Sequence, residues 1–230
     1  MRTLGLIGGM TWHSTIDYYR LINEGVQARL GGAHSAALVM LSVDFGPIED
    51  MQGRDDWAGL GMLMAGAARS LFLAGAEGLV ICANTMHRLA DDVTKAAPIP
   101  LIHIGDATAA AIKDKGLHTV GLLGTRYTME MDFYRGRLEK THGLKVLIPD
   151  EPGRTSVHDI IYKELAQGRV REESRRAYIE VIRELEGRGA QGVILGCTEI
   201  PLLIKAADSP IPVFDTTALH AAAAVEFALG

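Results

Sequence analysis

The chain has 230 residues, 48% of them hydrophobic and 22% charged, with a formal net charge of -5. That is enough to bury a core in one large domain or two small lobes, and it excludes a disordered or fibrous class. Without a run of basic residues no stripe exists for a phosphate backbone, so nucleic acid is not an expected partner.

Apolar, β-branched runs alternate with amphipathic helical patterns along the whole chain, which predicts an α/β protein with mostly parallel sheets. In chain order the strands are expected at 3–8, 36–43, 78–82, 100–103, 119–124, 145–148, 192–196 and 212–214. A helix is expected over about 14–30, started by Ser14 and stopped by Gly31-Gly32. The Glu/Arg alternation from Arg171 to Arg188 predicts a solvated helix face. No apolar stretch approaches the roughly 18 residues of a membrane span, and Gly8-Gly9 interrupt the only candidate signal segment. With two cysteines, too few for a disulfide scaffold, a reducing cytoplasm is the expected location.

The order of units repeats. Thr3-Leu-Gly-Leu-Ile-Gly8 corresponds to Thr119-Val-Gly-Leu-Leu-Gly124, 116 positions on, and Tyr18 to Tyr134. Gly75-Ala-Glu-Gly-Leu-Val-Ile81 corresponds to Gly189-Ala-Gln-Gly-Val-Ile-Leu195 at 114, and Pro98-Ile-Pro100 to Pro210-Ile-Pro212 at 112. Three matches in one order at nearly constant spacing predict an ancestral duplication and two pseudo-symmetric, Rossmann-like lobes. The first lobe is assigned residues 1–100 and 208–230, the second 101–207. The turn at Lys115-Gly116 is the expected seam, with no Ser/Pro/Gly linker between the lobes.

In open parallel sheets ligands sit beyond the carboxyl ends of the strands. There the sequence places Gly8-Gly9-Met10, Cys82-Ala83-Asn84-Thr85, Gly124-Thr125 and Gly196-Cys197-Thr198-Glu199, with Ala83 corresponding to Cys197. Cys197 follows a strand and precedes a helix or turn, where amide donors and the positive helix end favour thiolate. Cys82, one residue before Ala83, turns to the other face of its strand and reads as a small buried hydrophobe. The amide-rich strand ends suit a carboxylate, and Asn84, Thr85, Thr125, Thr128 and Thr198 add neutral donors, with Glu199 beside them. A small carboxylic acid is the expected ligand. Gly5-Leu-Ile-Gly8-Gly9 lacks the G-x-G-x-x-G spacing, and no G-x-x-x-x-G-K-[ST] occurs, nor H-E-x-x-H nor C-x-x-C, so neither a nucleotide nor a metal is expected.

Gly8-Gly9-Met10, Asn84-Thr85-Met86-His87, Gly124-Thr125 and Gly196-Cys197-Thr198-Glu199 together resemble the aspartate/glutamate racemase family, over essentially the whole chain. Tyr18-Tyr19-Arg20-Leu-Ile-Asn-Glu24 and Arg126-Tyr-Thr-Met-Glu130 are most similar to its bacterial L-aspartate/glutamate or broad-specificity amino-acid subgroup. The resemblance implies an active site between two lobes and a two-base proton transfer using neither pyridoxal phosphate nor metal. It also implies a homodimer, and contacts to an aspartate- or glutamate-like amino acid from Met10, Gln52, Asn84 and Thr85, with the Tyr162-Lys163-Glu164 region contributing.

The chain departs from the family pattern where the first proton-transfer cysteine is expected. Ala83 stands there and carries no transferable proton. A deliberate substitution, a naturally one-sided enzyme and a water acting in place of the side chain all remain open, and in each the racemase is impaired. Two further readings compete with a racemase. One is a one-cysteine decarboxylase similar to the arylmalonate decarboxylases, in which a small residue opposite the cysteine makes room. The other is a non-catalytic amino-acid-binding relative.

Overall fold

The computed structural model describes residues 1–230 and divides them into two units, Met1–His103 with His220–Gly230, and Ile104–Leu219. In the first unit β1 (Leu4–Gly8), α1 (Trp12–Leu30), β2 (Leu38–Ser42), α2 (Phe45–Gly53), α3 (Trp57–Leu73), β3 (Gly78–Ile81), α4 (Ala90–Ala96) and β4 (Leu101–Ile102) follow one another. The second unit contains α5 (Ile104–Asp114), β5 (Thr119–Gly124), α6 (Arg126–Glu130), α7 (Asp132–Gly136), β6 (Lys145–Leu147), α8 (Glu151–Lys163), α9 (Glu172–Gly187), β7 (Val193–Gly196), α10 (Ile200–Leu203) and β8 (Val213–Asp215). The last helix, α11 (Thr216–Leu229), begins in the second unit and belongs to the first from His220 onward.

Each unit has a four-stranded parallel sheet, in the orders β2-β1-β3-β4 and β6-β5-β7-β8. The duplication is therefore carried into the hydrogen-bond ladder. Gly5 pairs with Leu79 and Gly121 with Val193, the same rung in each copy. The paired Pro-Ile-Pro segments do the same work, since the Pro100 carbonyl accepts from Leu79 N and the Pro212 carbonyl from Val193 N, both at 2.8 Å.

Sequence and structure differ at three boundaries. The first unit gives way to the second at His103/Ile104, close to the assigned end of the first lobe at residue 100 and not at the Lys115-Gly116 turn, because α5 packs with the second unit. Residues 208–219, assigned to the first lobe on sequence, lie in the second, where β8 extends the sheet through β7. Helix α1 starts at Trp12, and Ser14 bonds the Thr11 carbonyl with its hydroxyl instead of capping. The predicted stop is present, with Gly31 at φ 74° and its N–H on the Gln27 carbonyl.

The central strands β1, β3, β5 and β7 are buried because helices cover both faces of each sheet, whereas the outer strands are only partly covered. In the first unit Leu4, Leu6, Val80 and Cys82 pack with Tyr18 and Ile22 of α1 and with Ala224 and Val225 of α11. The duplicated tyrosines are fully buried and satisfy their hydroxyls differently: Tyr18 bonds His220 Nδ1 at 2.8 Å, and Tyr134 bonds the Thr108 hydroxyl at 3.2 Å. No helix is long and apolar enough to cross a membrane.

His220 ties the end of β4 to α1. Its Nε2 lies 2.7 Å from the Ile102 carbonyl, which only accepts, so Nε2 carries the proton and Nδ1 accepts from Tyr18. Burial lowers its pKa to about 4, partly opposed by the Ile102 bond. The unfolded ring takes up a proton near pH 6.5 and the folded one only near 4. Stability is therefore complete above pH 6.5 and declines as pH falls to 4, by roughly 3 kcal/mol. Chemical denaturation at pH 7 and pH 4 should show that much more loss for the parent than for His220→Gln, whose amide donates to Ile102 without titrating.

Candidate active site

In both sheets the chain runs to one side from the first strand and to the other from the third, so the strand order reverses between β1 and β3 and between β5 and β7. The carboxyl ends of these pairs are the switch points where open α/β sheets bind ligands. The sequence candidates around residues 8–10, 83–85, 124–125 and 197–199 follow these four strands.

At the first switch point the backbone is tightly constrained. Gly9 has φ +94°, and a Cβ there would lie 2.1 Å from the Val43 carbonyl oxygen, so only glycine fits. Its N–H donates to the Thr15 hydroxyl at 2.8 Å. Met10 follows, buried. Beyond β3 the Ala83 N–H bonds back to the Ile81 carbonyl at 2.8 Å, and the Ala83 carbonyl lies 2.7 Å from His87 Nδ1. Ala83, Asn84 and Thr85 are all buried. Gln52, at the end of α2, joins this group, with its Nε2 3.5 Å from the Met86 sulfur. Cys82 faces the apolar core among Leu4 and Leu6, and burial raises its thiol far above the usual range.

At the second switch point Gly124 and Gly196 are cross-strand partners, and a Cβ on either would come within 2.7 Å of a carbonyl of the paired strand. Thr125 caps α6, its hydroxyl accepting from Thr128 N at 3.3 Å and lying 3.2 Å from the Thr128 hydroxyl. Cys197 Sγ donates to Glu199 Oε2 at 2.9 Å, and the Thr198 hydroxyl donates to the same oxygen at 2.8 Å. All three residues are buried, Cys197 at 7% exposure on the edge of the apolar core.

The expectation of a resting thiolate is corrected here. The backbone N–H groups of Glu199 and Ile200 do pull the Cys197 pKa down, but burial, the Glu199 charge and the Glu199 hydrogen bond outweigh them and raise it well above its usual value. The helix that follows is a single turn, Ile200–Leu203, too short to supply much of a dipole. What rests at the strand end is a thiol held on a buried carboxylate.

Lys163 behaves differently from the other candidates. It is exposed at the end of α8 with its ammonium 2.8 Å from Asp159, so it is not gathered with the buried strand-end residues. Two residues went unseen in the sequence. Tyr178, inside the helix read as a solvated face, is fully buried and bonds the Val157 carbonyl at 3.1 Å. Burial first, then Cys197, Glu164 and Glu199, raise its pKa well above 10. The spacing of Ser174, Tyr178, Ile182 and Leu185 was the available signal, one buried stripe along α9. Thr217, just past β8, is buried with no hydrogen-bond partner for its hydroxyl oxygen.

Residues 7–224 match the family model described as Asp/Glu/hydantoin racemase. The fold is shared at a TM-score of 0.94 with a Yersinia pestis protein described as an Asp/Glu racemase, 56% identical with 100% of both chains covered. An aspartate racemase homologue from Pyrococcus horikoshii is 35% identical, again over 100% of both chains, with a TM-score of 0.86. The aspartate racemase of Picrophilus torridus, 22% identical over 99% of this chain and 94% of its own, shares the fold at 0.78.

Proposed function

Because the chain belongs to the Asp/Glu/hydantoin racemase family, we propose that it moves the α-proton of a small acidic amino acid, aspartate or glutamate, with Cys197 as the proton-transfer group and no cofactor. The observation that carries this reading is the buried Cys197–Glu199 pair. Cys197 passes its S–H proton to the Glu199 carboxylate, and the thiolate takes the proton from the substrate α-carbon. The electron pair stays on the substrate as a carbanion delocalised into its carboxylate; the protons now on Cys197 and Glu199 exchange with solvent, and reversal returns a solvent proton to the same face. An approaching substrate ammonium favours the first transfer, since a cation beside sulfur stabilises thiolate. Asn84, Thr85, Thr125 and Thr128 supply donors for the substrate, Thr198 does so only on releasing Glu199, and Met10 and Gln52 shape its surroundings. Lys163 serves a substrate carboxylate only on leaving Asp159.

Inversion needs a second donor for the opposite face of the carbanion, and Ala83 provides none. The chain is therefore expected to exchange the α-proton of one enantiomer with solvent much faster than it interconverts the two. Proton NMR in deuterated water with each enantiomer of aspartate and glutamate reads this directly. Absence of exchange on both acids, for this chain and for A83C and A83T, sinks the proposal.

Glu199→Gln separates the two parts of the step. Loss of the carboxylate charge lets the Cys197 pKa fall, so alkylation of the thiol should reach its half-maximal rate at lower pH. Exchange should nonetheless drop by about 10²-fold or more, because the proton acceptor is gone. An unshifted alkylation profile with exchange retained would rule out the relay.

A homodimer is the proposed assembly; the exposed side chains of Trp12, Ile16 and Tyr19, spaced along one face of α1, support it. The lone strand-end cysteine also supports the decarboxylase reading, in which the same thiol protonates a planar intermediate after carbon dioxide leaves. Carbon dioxide release from a substituted malonate, without amino-acid exchange, would favour it.

A further inference from the structure

Three buried histidines meet in the first unit, none of them used in the proton transfer proposed above. His87, in the turn Thr85–Leu89, has its ring centroid 4.7 Å from that of His103 and 5.4 Å from that of His220, both edge-on. A metal site is not what they form, because His87 Nδ1 and both nitrogens of His220 already bind protein groups. What they do is visible at the other end of the His87 ring. The Ala83 carbonyl accepts only, so His87 Nδ1 carries a proton and donates to it at 2.7 Å. With the Ala83 N–H bound to the Ile81 carbonyl, the peptide groups on both sides of residue 83 are fixed, and with them the direction of its Cβ.

We propose that His87 is a positioning residue for residue 83, aiming whatever side chain stands there by holding its carbonyl, with His103 and His220 as the packed support that holds the His87 ring. The support is rigid for its own reasons. His220 is clamped between Tyr18 and the Ile102 carbonyl, and His103 continues directly from β4. His103 and His220 are also the residues at which the chain leaves and re-enters this unit, so the ring cluster anchors residue 83 to both chain crossings. Position 83 thus keeps its alignment apparatus although alanine gives it nothing to align. The relevance to catalysis rests on the proton-transfer reading, but the alignment does not.

The test uses the geometry of amides. Asparagine places an N–H where histidine has Nδ1, whereas glutamine places it where Nε2 would be. In the full chain carrying A83C and C197S, the thiol at position 83 is alkylated with iodoacetamide, alone and with H87N or H87Q; C197S without A83C sets the background from Cys82. H87N should leave the rate within about 3-fold, and H87Q should change it by about 10-fold or more, as expected when a fixed reacting group loses its alignment. A general loss of core packing would instead move both alike. In the A83C background with Cys197 intact, H87Q should lower kcat for inversion by a similar factor with KM within about 3-fold, and H87N should rescue it. Equal alkylation rates in H87N and H87Q, or equal departures from the parent, overturn the positioning role. Unequal rates with no amino-acid exchange in A83C would sustain it while removing the racemase reading.

Discussion

Replacing Cys197 by serine is expected to lower α-proton exchange by about 10²- to 10⁴-fold, the usual worth of one positioned proton-transfer group. The substitution is close to isosteric, and the hydroxyl can still donate to Glu199 Oε2, so thermal unfolding should be nearly unchanged. What is lost is acidity. A thiol whose pKa lies well above its usual value is still far more acidic than a serine hydroxyl in the same apolar surroundings, where burial penalises any anion. The raised pKa also fixes the sign of the pH dependence. If thiolate is the species that removes the proton, exchange by the parent chain rises with pH through the alkaline range. Glu199→Gln, by lowering that pKa, moves the rise to lower pH even though its maximum is smaller. Serine at 197 with exchange intact, and intact unfolding behaviour, would show that the sulfur is a core residue and nothing more.

Much of the fold was legible because periodicity and duplication reinforce each other. All eight strands lie where apolar runs place them, and the repeat of Thr3–Gly8 at Thr119–Gly124 predicts equivalent sheet positions that the Gly5–Leu79 and Gly121–Val193 rungs occupy. Boundaries set by tertiary packing were legible only in part. The sequence reading ends the first lobe at residue 100, close to His103/Ile104, but places its return at 208 instead of 220, and the turn at Lys115-Gly116 marks only the end of α5. For the site, strand-end positions followed from topology, but charge states did not. The amides beside Cys197 argue for a thiolate, and burial first, then the carboxylate two residues later, folded back onto the same sulfur, reverse the balance. Side-chain direction was likewise hidden at Lys163, which turns to Asp159, and at Tyr178, which turns inward from a helix rich in Glu and Arg. The histidines at 87, 103 and 220 are too far apart in sequence for their clustering to be read from it.

Ala83→Cys should raise interconversion of the enantiomers by about 10²- to 10⁴-fold while changing one-sided exchange by far less. The two readouts separate because they ask different things of the site. Exchange with solvent needs one group that removes and returns a proton on the same face, and Cys197 with Glu199 suffices. Inversion needs a donor on the other face, which alanine at 83 does not supply. The neighbouring thiol is no substitute. Cys82 points into the core beside Leu4 and Leu6, fully buried, and its pKa is raised by that burial. Turning it toward the substrate would shift β3 by one residue, and every inward side chain of that strand would lose its place. Threonine at 83 should recover less than cysteine, because its hydroxyl is a weaker acid than a thiol. A gain in both readouts together would mean that residue 83 serves general binding rather than the second proton. No gain in either, with the thiol at 83 shown by alkylation to be accessible, would mean that this strand end does not face the reacting carbon.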